Sequence, residues 1–281
     1  MLSYQHEYHV GNHADVLKHS VLALVVRALQ KKDTPIRILD AHAGSGIYDL
    51  RSREARKHGE YEHGIGRVLG QPLPPVEIHD YLGIVRALNS HADPGGELRL
   101  CPGSPEVARQ LLRPTDHLEL IELHPAALAQ LHRYFGRNAH IHIHNRNTFE
   151  GLPALLPPTE RRGVVLMDPS YEVKEEFVGV VDLLKSCHRR WANGVFLIWY
   201  PLLRHPLAER FPAKVRAAGL PKVLQVELQV EIDAYQGMRG SGLCIVNPPF
   251  GLEGKLNVLL PWLWDALKND ERTGWKVGAL A

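Results

Sequence analysis

Two short stretches carry the side chains best placed for chemistry. VVLMDPSYE, residues 164–172, is an apolar run that ends in Asp168, Pro169, Ser170 and Tyr171. IVNPPF, residues 245–250, ends in Asn247, Pro248, Pro249 and Phe250. A strand followed by Asp or Asn, proline and an aromatic can cradle an exocyclic amine. The side-chain oxygen and the next backbone carbonyl, here that of Pro169, each accept an N–H. Such an amine is a poor nucleophile because its lone pair is delocalised into the ring. Two acceptors pull the nitrogen towards a tetrahedral state and aim the lone pair at an electrophile. Asp168 can then take the released proton. Tyr171 would stack on the base, worth roughly 1–3 kcal/mol, against an extrusion cost of about a few kcal/mol. The plainer reading of DPSY is an ordinary strand-to-helix turn.

A second pattern offers a place for the electrophile. ILDAHAGSG, residues 38–46, is a strand ending in Gly44-x-Gly46. Glycine lets backbone N–H groups approach a ligand and tolerates a positive φ. The stretch is not GxGxxG, and the chain has no GxxxxGKS or GxxxxGKT, so a phosphate cradle is a weak reading. Asp-x-x-x-Gly-x-Gly suits S-adenosylmethionine (AdoMet), whose amino-acid and ribose parts replace a pyrophosphate. Glu122, in LELIELHP, closes the second strand, where an acid can accept both ribose hydroxyls; a helix N-terminus also favours an acid there. Asn147, in NRNTFE, follows the third strand and can accept from the adenine amino group. Polar residues at the C-terminal ends of adjacent strands share one crevice.

The elements that must position these residues follow from periodicity. Apolar runs at 36–43, 117–123, 140–145, 162–169, 193–201, 222–230 and 241–249 read as strands, several continuous enough to be covered on both faces. Helical spacing fills 124–136, 174–191 and 203–218. The last two strands are joined by the short link DAYQGMRG, which leaves room only for an antiparallel hairpin. The expected fold is α/β: a seven-stranded Rossmann-like sheet with a C-terminal antiparallel hairpin, the class I AdoMet-dependent methyltransferase inventory. One domain is expected over 1–281, with a small helical insertion at 51–115 between the first and second strands. The tail after Trp264 reads as helix, then frayed. NHADVLKH, with Asn12 as a possible N-cap, opens an amphipathic helix. In HIHIHN, His140, His142 and His144 share one strand face, more often the wet face of an edge strand than a metal site.

Topology chooses between the two turns. DPSY follows a strand parallel to the first, so it opens on the edge that carries Gly44 and Glu122. NPPF follows the strand that the hairpin reverses, so it falls on the far edge as a terminator, since its prolines cannot continue a ladder.

Composition sets outer bounds. With 281 residues, 44% apolar and 23% charged, the chain is ordinary for a soluble globular protein. A net charge of +2 excludes a uniformly basic coat but not a local basic face. Cys101, Cys187 and Cys244 form no CxxC pair, which suggests a reducing cytoplasm. There is no apolar run of about 20 residues, so no membrane partner is expected. The 17 histidines include no HExxH set, so no metal is expected. In the insertion, Arg51, Arg53, Arg56, Lys57 and His58 could meet phosphates or form a solvated helix face.

Taken together, LSYQHEYHVGNHADVLKH, LDAHAGSG, PGSP at 102–105, IELHP and RRGVVLMDPSYE resemble the 23S ribosomal RNA adenine-N6 methyltransferases of the RlmJ type. LIWYP, GLCIVNPP and NVLLPWL resemble them too, so the similarity runs over nearly the whole chain. The resemblance implies cofactor contacts on His19, His42, Ser104, Glu122, Asn147, Thr148 and Asp168, with Asp168 the catalytic acid. It implies that Tyr4, His6 and Lys18 lie near the cofactor and the target base. It further implies AdoMet as cofactor with S-adenosylhomocysteine as product, and 23S rRNA, free or partly assembled, as partner. The protein is expected to be a cytoplasmic monomer. Two departures stand out: Ser170 replaces the motif's second proline, and Asn147-Thr148 stands where Asp-Gly is usual. Three rivals stay open: a DNA adenine-N6 methyltransferase, a protein for using external DNA, and an AdoMet- and RNA-binding module whose catalysis has decayed.

Overall fold

The computed structural model describes residues 5–92, 97–232 and 237–280. Eight strands form one sheet: β1 (Arg37–Asp40), β2 (His117–Glu122), β3 (Ile141–Asn145), β4 (Gly163–Met167), β5 (Val195–Leu202), β6 (Val223–Gln229), β7 (Gly240–Val246) and β8 (Trp275–Ala279). Their order is β3-β2-β1-β4-β5-β7-β6-β8. β3, β2, β1, β4 and β5 are mutually parallel. β7 runs antiparallel to both β5 and β6, in register Gln229↔Gly240 with β6. This is the class I methyltransferase topology, and residues 233–236 of the hairpin link lie outside the described residues. All five residues of β4 and all seven of β7 are buried, as befits strands covered by helices on both faces.

Three expectations change. The tail does not fray: a helix, Leu252–Leu267, is followed by β8, which pairs antiparallel with β6. Five residues of weak alternation become a strand because β6 offers an open edge, which local sequence does not reveal. The helix expected over 203–218 is two short pieces, Pro206–Glu209 and Phe211–Ala217, with Pro212 at the start of the second. The N-terminal helix α1 (His13–Leu29) is not amphipathic in its packing. Every residue from Ala14 to Val26 is buried, Asp15, Lys18 and His19 included. A helix enclosed all round is a core element. Asn12 does cap it, accepting from Ala14 N at 2.9 Å and Asp15 N at 3.1 Å, which satisfies two otherwise orphaned donors.

Between β1 and β2 a two-stranded ribbon, Ile47–Asp49 with Leu100–Pro102, closes off a helical excursion. The excursion holds the helices Arg53–His58 and His79–Ala92, with shorter turns between them. It leans on the start of α1, where Ile65 N donates to Gly11 O at 2.8 Å. The helix Ser104–Leu111 follows the ribbon and leads into β2. Gly103 N donates to Gly46 O at 2.8 Å, which brings Ser104 back beside the β1 turn. The edge strand β3 meets β2 through Glu119, whose carboxylate takes His142 at 3.2 Å and His144 at 2.6 Å. Among the described residues no cluster of three or more His, Cys, Asp or Glu side chains has metal-binding geometry. No described helix is long and apolar enough to cross a membrane.

Candidate active site

The parallel strands end together, and their turns open on a cavity of about 980 Å³. That is the upper end of the range for ligand pockets, roughly 300–1,000 Å³, as a site holding two ligands requires. Asp168 leaves β4 here. Its backbone N–H donates to His42 Nδ1 at 3.1 Å, so the β4 and β1 turns are tied together. That bond makes Nδ1 the acceptor and leaves the ring proton on Nε2. Desolvation lowers the His42 pKa to about 4, so the ring is neutral near pH 7.

Lys18, from α1, reaches the same carboxylate: its ammonium bonds Asp168 Oδ2. It also forms an ion pair with Asp15 Oδ1 at 2.9 Å. Burial opposes a charge on Lys18, but Asp15 and Asp168 outweigh it and raise its pKa, so it stays an ammonium. Asp168 Oδ1 has no protein hydrogen bond among the described residues, and the side chain is 15% exposed. An amine could therefore reach that oxygen. Asp40 lies buried behind, its pKa raised to about 6 by desolvation, with bonds from Ser104 and the His42 N–H opposing.

The β1 turn places the cofactor-type groups. Gly44 has φ +62°, and a Cβ there would sit 2.4 Å from Tyr48 Oη, so the position requires glycine. Its N–H donates to Glu122 Oε2 at 2.8 Å. Glu122 Oε1 accepts from Leu123 N at 2.8 Å and His124 N at 2.6 Å. Three of roughly four acceptor sites on the carboxylate are then taken, which leaves room for one ribose hydroxyl rather than two. Asn147 Oδ1 caps the helix Thr148–Ala154 by accepting from Phe149 N at 2.9 Å, so only its second lone pair can serve an adenine. Thr148 Oγ1 donates to the Ala41 carbonyl and fixes the two turns to each other.

Of the residues expected at the site, His6, Lys18, His19 and His42 line the cavity, with Gly44, Ser104 and Glu122 beyond them. Asn147, Thr148, Asp168, Pro169 and Tyr171 complete the wall. Two do not join them. Gly46 turns from the cavity, since a Cβ there would meet Phe135 at 2.4 Å. Its glycine serves helix packing. Tyr4 lies outside the described residues. Tyr171 is in the wall but 7% exposed. Its ring packs 4.3 Å from Phe177, and its hydroxyl donates to Trp199 O at 2.7 Å. So little of the ring is open that the expected stacking on a base has almost no surface to use.

Among the wall residues that escaped the sequence reading, two touch the groups around Asp168. Trp199 follows Ile198, the β5 partner of Met167, and so lies beside Asp168. Asp15 gathers His6, Lys18 and the Gly11 N–H around one carboxylate. A signal for Asp15 existed, because its spacing to Lys18 and His19 is that of one helical face. The insertion contributes Glu54, Glu60 and His63 to the rim. Next to it, Lys57 lies over the Tyr8 ring at 5.1 Å, and the exposed His58 stacks on His9 at 6.2 Å.

The far turn is different. Asn247 follows β7, and its Nδ2 donates to Ala192 O and Gly194 O, both at 2.8 Å, just before β5 begins. NPPF therefore lies at the opposite edge of the sheet.

Comparison with known proteins gives a consistent set. A family model described as Ribosomal RNA large subunit methyltransferase D, RlmJ, matches residues 33–280. The chain is 42% identical to the Ribosomal RNA large subunit methyltransferase J of Escherichia coli over 268 residues, covering 95% of this chain and 94% of that one. It is 41% identical to the protein of the same name from Haemophilus influenzae, covering 99% and 98%. A crystal structure of a Legionella pneumophila protein superimposes with a TM-score of 0.88 at 32% identity, over 96% of this chain and 97% of that one.

Proposed function

The chain belongs to the RlmJ family of ribosomal RNA large-subunit methyltransferases, and from that premise we propose that it methylates the N6 amine of one adenine in 23S rRNA. The methyl donor is AdoMet, the product is S-adenosylhomocysteine, and the RNA is free or partly assembled. The observation that carries the reading is Asp168 at the end of β4, anchored by His42 from β1 and Lys18 from α1, with one oxygen facing the cavity.

The residues present fit the cofactor. The Gly44 turn, the remaining acceptor site of Glu122 and the second lone pair of Asn147 lie along one crevice. His19, His42, Ser104 and Thr148 line the same wall. Bound AdoMet supplies a methyl group on a cationic sulfur, open to attack by a lone pair. Asp168 Oδ1 and the Pro169 carbonyl accept the two amine N–H bonds and turn the lone pair towards that methyl. As the N–C bond forms and the S–C bond breaks, the amine releases a proton, and Asp168 is the carboxylate in reach. Lys18 holds the carboxylate in one orientation, so much of the acceleration comes from positioning, on the order of 7–11 kcal/mol in favourable cases. His6 stands near Lys18 through their shared partner Asp15. Trp199, 9% exposed, also lines the cavity beside Asp168, so neither it nor Tyr171 offers an open ring to the base. Residues 1–281 act as one methyltransferase domain, a cytoplasmic monomer, in which the excursion between β1 and β2 meets RNA with Arg53, Arg56, Lys57 and His58.

The test is direct. Purified protein is incubated with methyl-labelled AdoMet and either deproteinised 23S rRNA from cells lacking this activity or unmodified genomic DNA. Label recovered as N6-methyladenosine in the RNA is expected. Label on DNA alone would discard the ribosomal role and keep the mechanism. No label on either, with AdoMet bound, would support the decayed binding module.

A further inference from the structure

Asp15 is 153 positions from Asp168 in sequence but stands at the hub of the site's charges. Its side chain is 1% exposed. Oδ1 pairs with Lys18 Nζ at 2.9 Å and has His19 Nε2 at 3.9 Å. Oδ2 takes His6 Nε2 at 2.9 Å and the Gly11 N–H at 2.9 Å. One carboxylate thus fastens the N-terminal segment, the first turns of α1 and the ammonium that grips Asp168. Reciprocal capping accounts for the Gly11 bond alone; it does not account for the contacts to Lys18 and His6.

Formal charge shows what the arrangement achieves. Asp15, Lys18 and Asp168 are two carboxylates and one ammonium, a net −1 that adds to the carboxylates of Asp40 and Glu122 beside it in a desolvated site. A buried charge without a partner is costly, so this trio stands ready for one cation. Lys18 and Asp168 alone would be neutral and would add nothing to that attraction for a sulfonium. During transfer the cationic sulfur becomes a neutral thioether while the amine's proton passes to Asp168. The positive charge moves within the site and its total does not change.

We propose that Asp15 is a positioning residue for methyl transfer: it holds Lys18 against Asp168 and cancels the Lys18 charge, so that the carboxylates of the site are left free to favour a sulfonium. The proposal rests on the reading that the site binds AdoMet and that Asp168 accepts the amine.

The experiment compares the affinity for AdoMet, a sulfonium, with that for S-adenosylhomocysteine, the neutral thioether. Calorimetry measures both on the wild type, Asp15→Asn, Lys18→Met and the double variant. Asp15→Asn shifts the affinity ratio about tenfold against AdoMet, and its single-turnover transfer falls about 100-fold. Lys18→Met shifts the ratio the other way. The double variant, again with one net negative charge in the trio, returns the ratio to wild type while transfer stays slow. A purely structural Asp15 would weaken both ligands alike, and an unchanged ratio across the variants overturns the proposal. If Asp15→Asn fails to fold, Lys18→Met and the double variant still separate the outcomes, since the double removes opposite charges together. Failure of the underlying reading looks different: neither ligand binds, or Asp168→Ala remains active.

Discussion

The DPSY and NPPF turns are built alike and do opposite work. Both follow fully buried strands, and each bends through one non-glycine residue with positive φ, Tyr171 at 54° and Asn247 at 53°. In DPSY the aromatic is 7% exposed and the acid faces a cavity; in NPPF the aromatic is 102% exposed and the Asn is tied to backbone carbonyls. The difference lies in strand direction. β4 runs parallel to β1, whereas β7 is reversed between β5 and β6. Resemblance of a turn to a motif therefore says little until the edge it opens on is known.

The largest break in the comparison is in rate. Asp168→Ala removes the acceptor while Lys18 keeps Asp15 as partner. Single-turnover transfer should fall about 10²- to 10⁴-fold, with AdoMet affinity at most modestly weakened. A rate near wild type would dethrone DPSY. Next come the aromatics and their turns. Tyr171→Ala empties a site walled by Phe177, Trp199 and Phe211 and should cost about 3–5 kcal/mol in urea unfolding. Asn247→Ala loses two Nδ2 bonds and strains a positive φ, for about 1–3 kcal/mol. Transfer per folded molecule should be unchanged, and a collapsed rate in a folded Asn247→Ala protein would reverse the assignment of the two turns.

Acid should separate the edges by degrees. Desolvation lowers His13 and His42 to about 4 and His19 to about 3, all on the DPSY side. Below about pH 6.5 the unfolded chain takes up protons that these folded histidines refuse. Their stabilisation is whole above that pH and is lost as pH falls towards 4. Asp40, raised to about 6, acts oppositely, because acid between 6 and its ordinary value relieves its cost. His9 and Glu176 are raised too and act with Asp40, but the three histidine shifts are the larger ones, so the urea midpoint should drop from pH 6.5 to 4.5, and His19→Gln should flatten that slope. A flat midpoint in the wild type would mean that these rings are hydrated. Smallest of all, Phe250→Ala should leave stability within about 0.5 kcal/mol and transfer untouched.

Much of the site was legible because its signals are local. Strand ends at Asp40, Glu122, Asn147 and Asp168 were marked by apolar runs breaking into polar turns, and a parallel sheet must gather such ends on one edge. Gly44 was legible for the same reason. Gly46 was read as its twin, but the neighbour that demands glycine there is Phe135, 89 positions away. Tyr171 looked like a stacking platform because an aromatic after a turn looks the same whether it faces a ligand or Phe177. β8 was missed because a weak strand exists only where another strand leaves an edge to pair with.

The sequence by itself determined the strand inventory, the reversal of β7, the helix cap at Asn12 and the acid at the end of β4. All of these follow from periodicity, chain length and local hydrogen bonding. Only the tertiary structure decided which charges share a pocket. Asp15 and Lys18 sit on a helix whose sequence looks amphipathic, so either solvent or core was open to them. Packing closed α1 on every side, and the low dielectric there compels each buried charge to find a partner. Asp15, Lys18 and Asp168 became one unit because the fold left them no water to turn to.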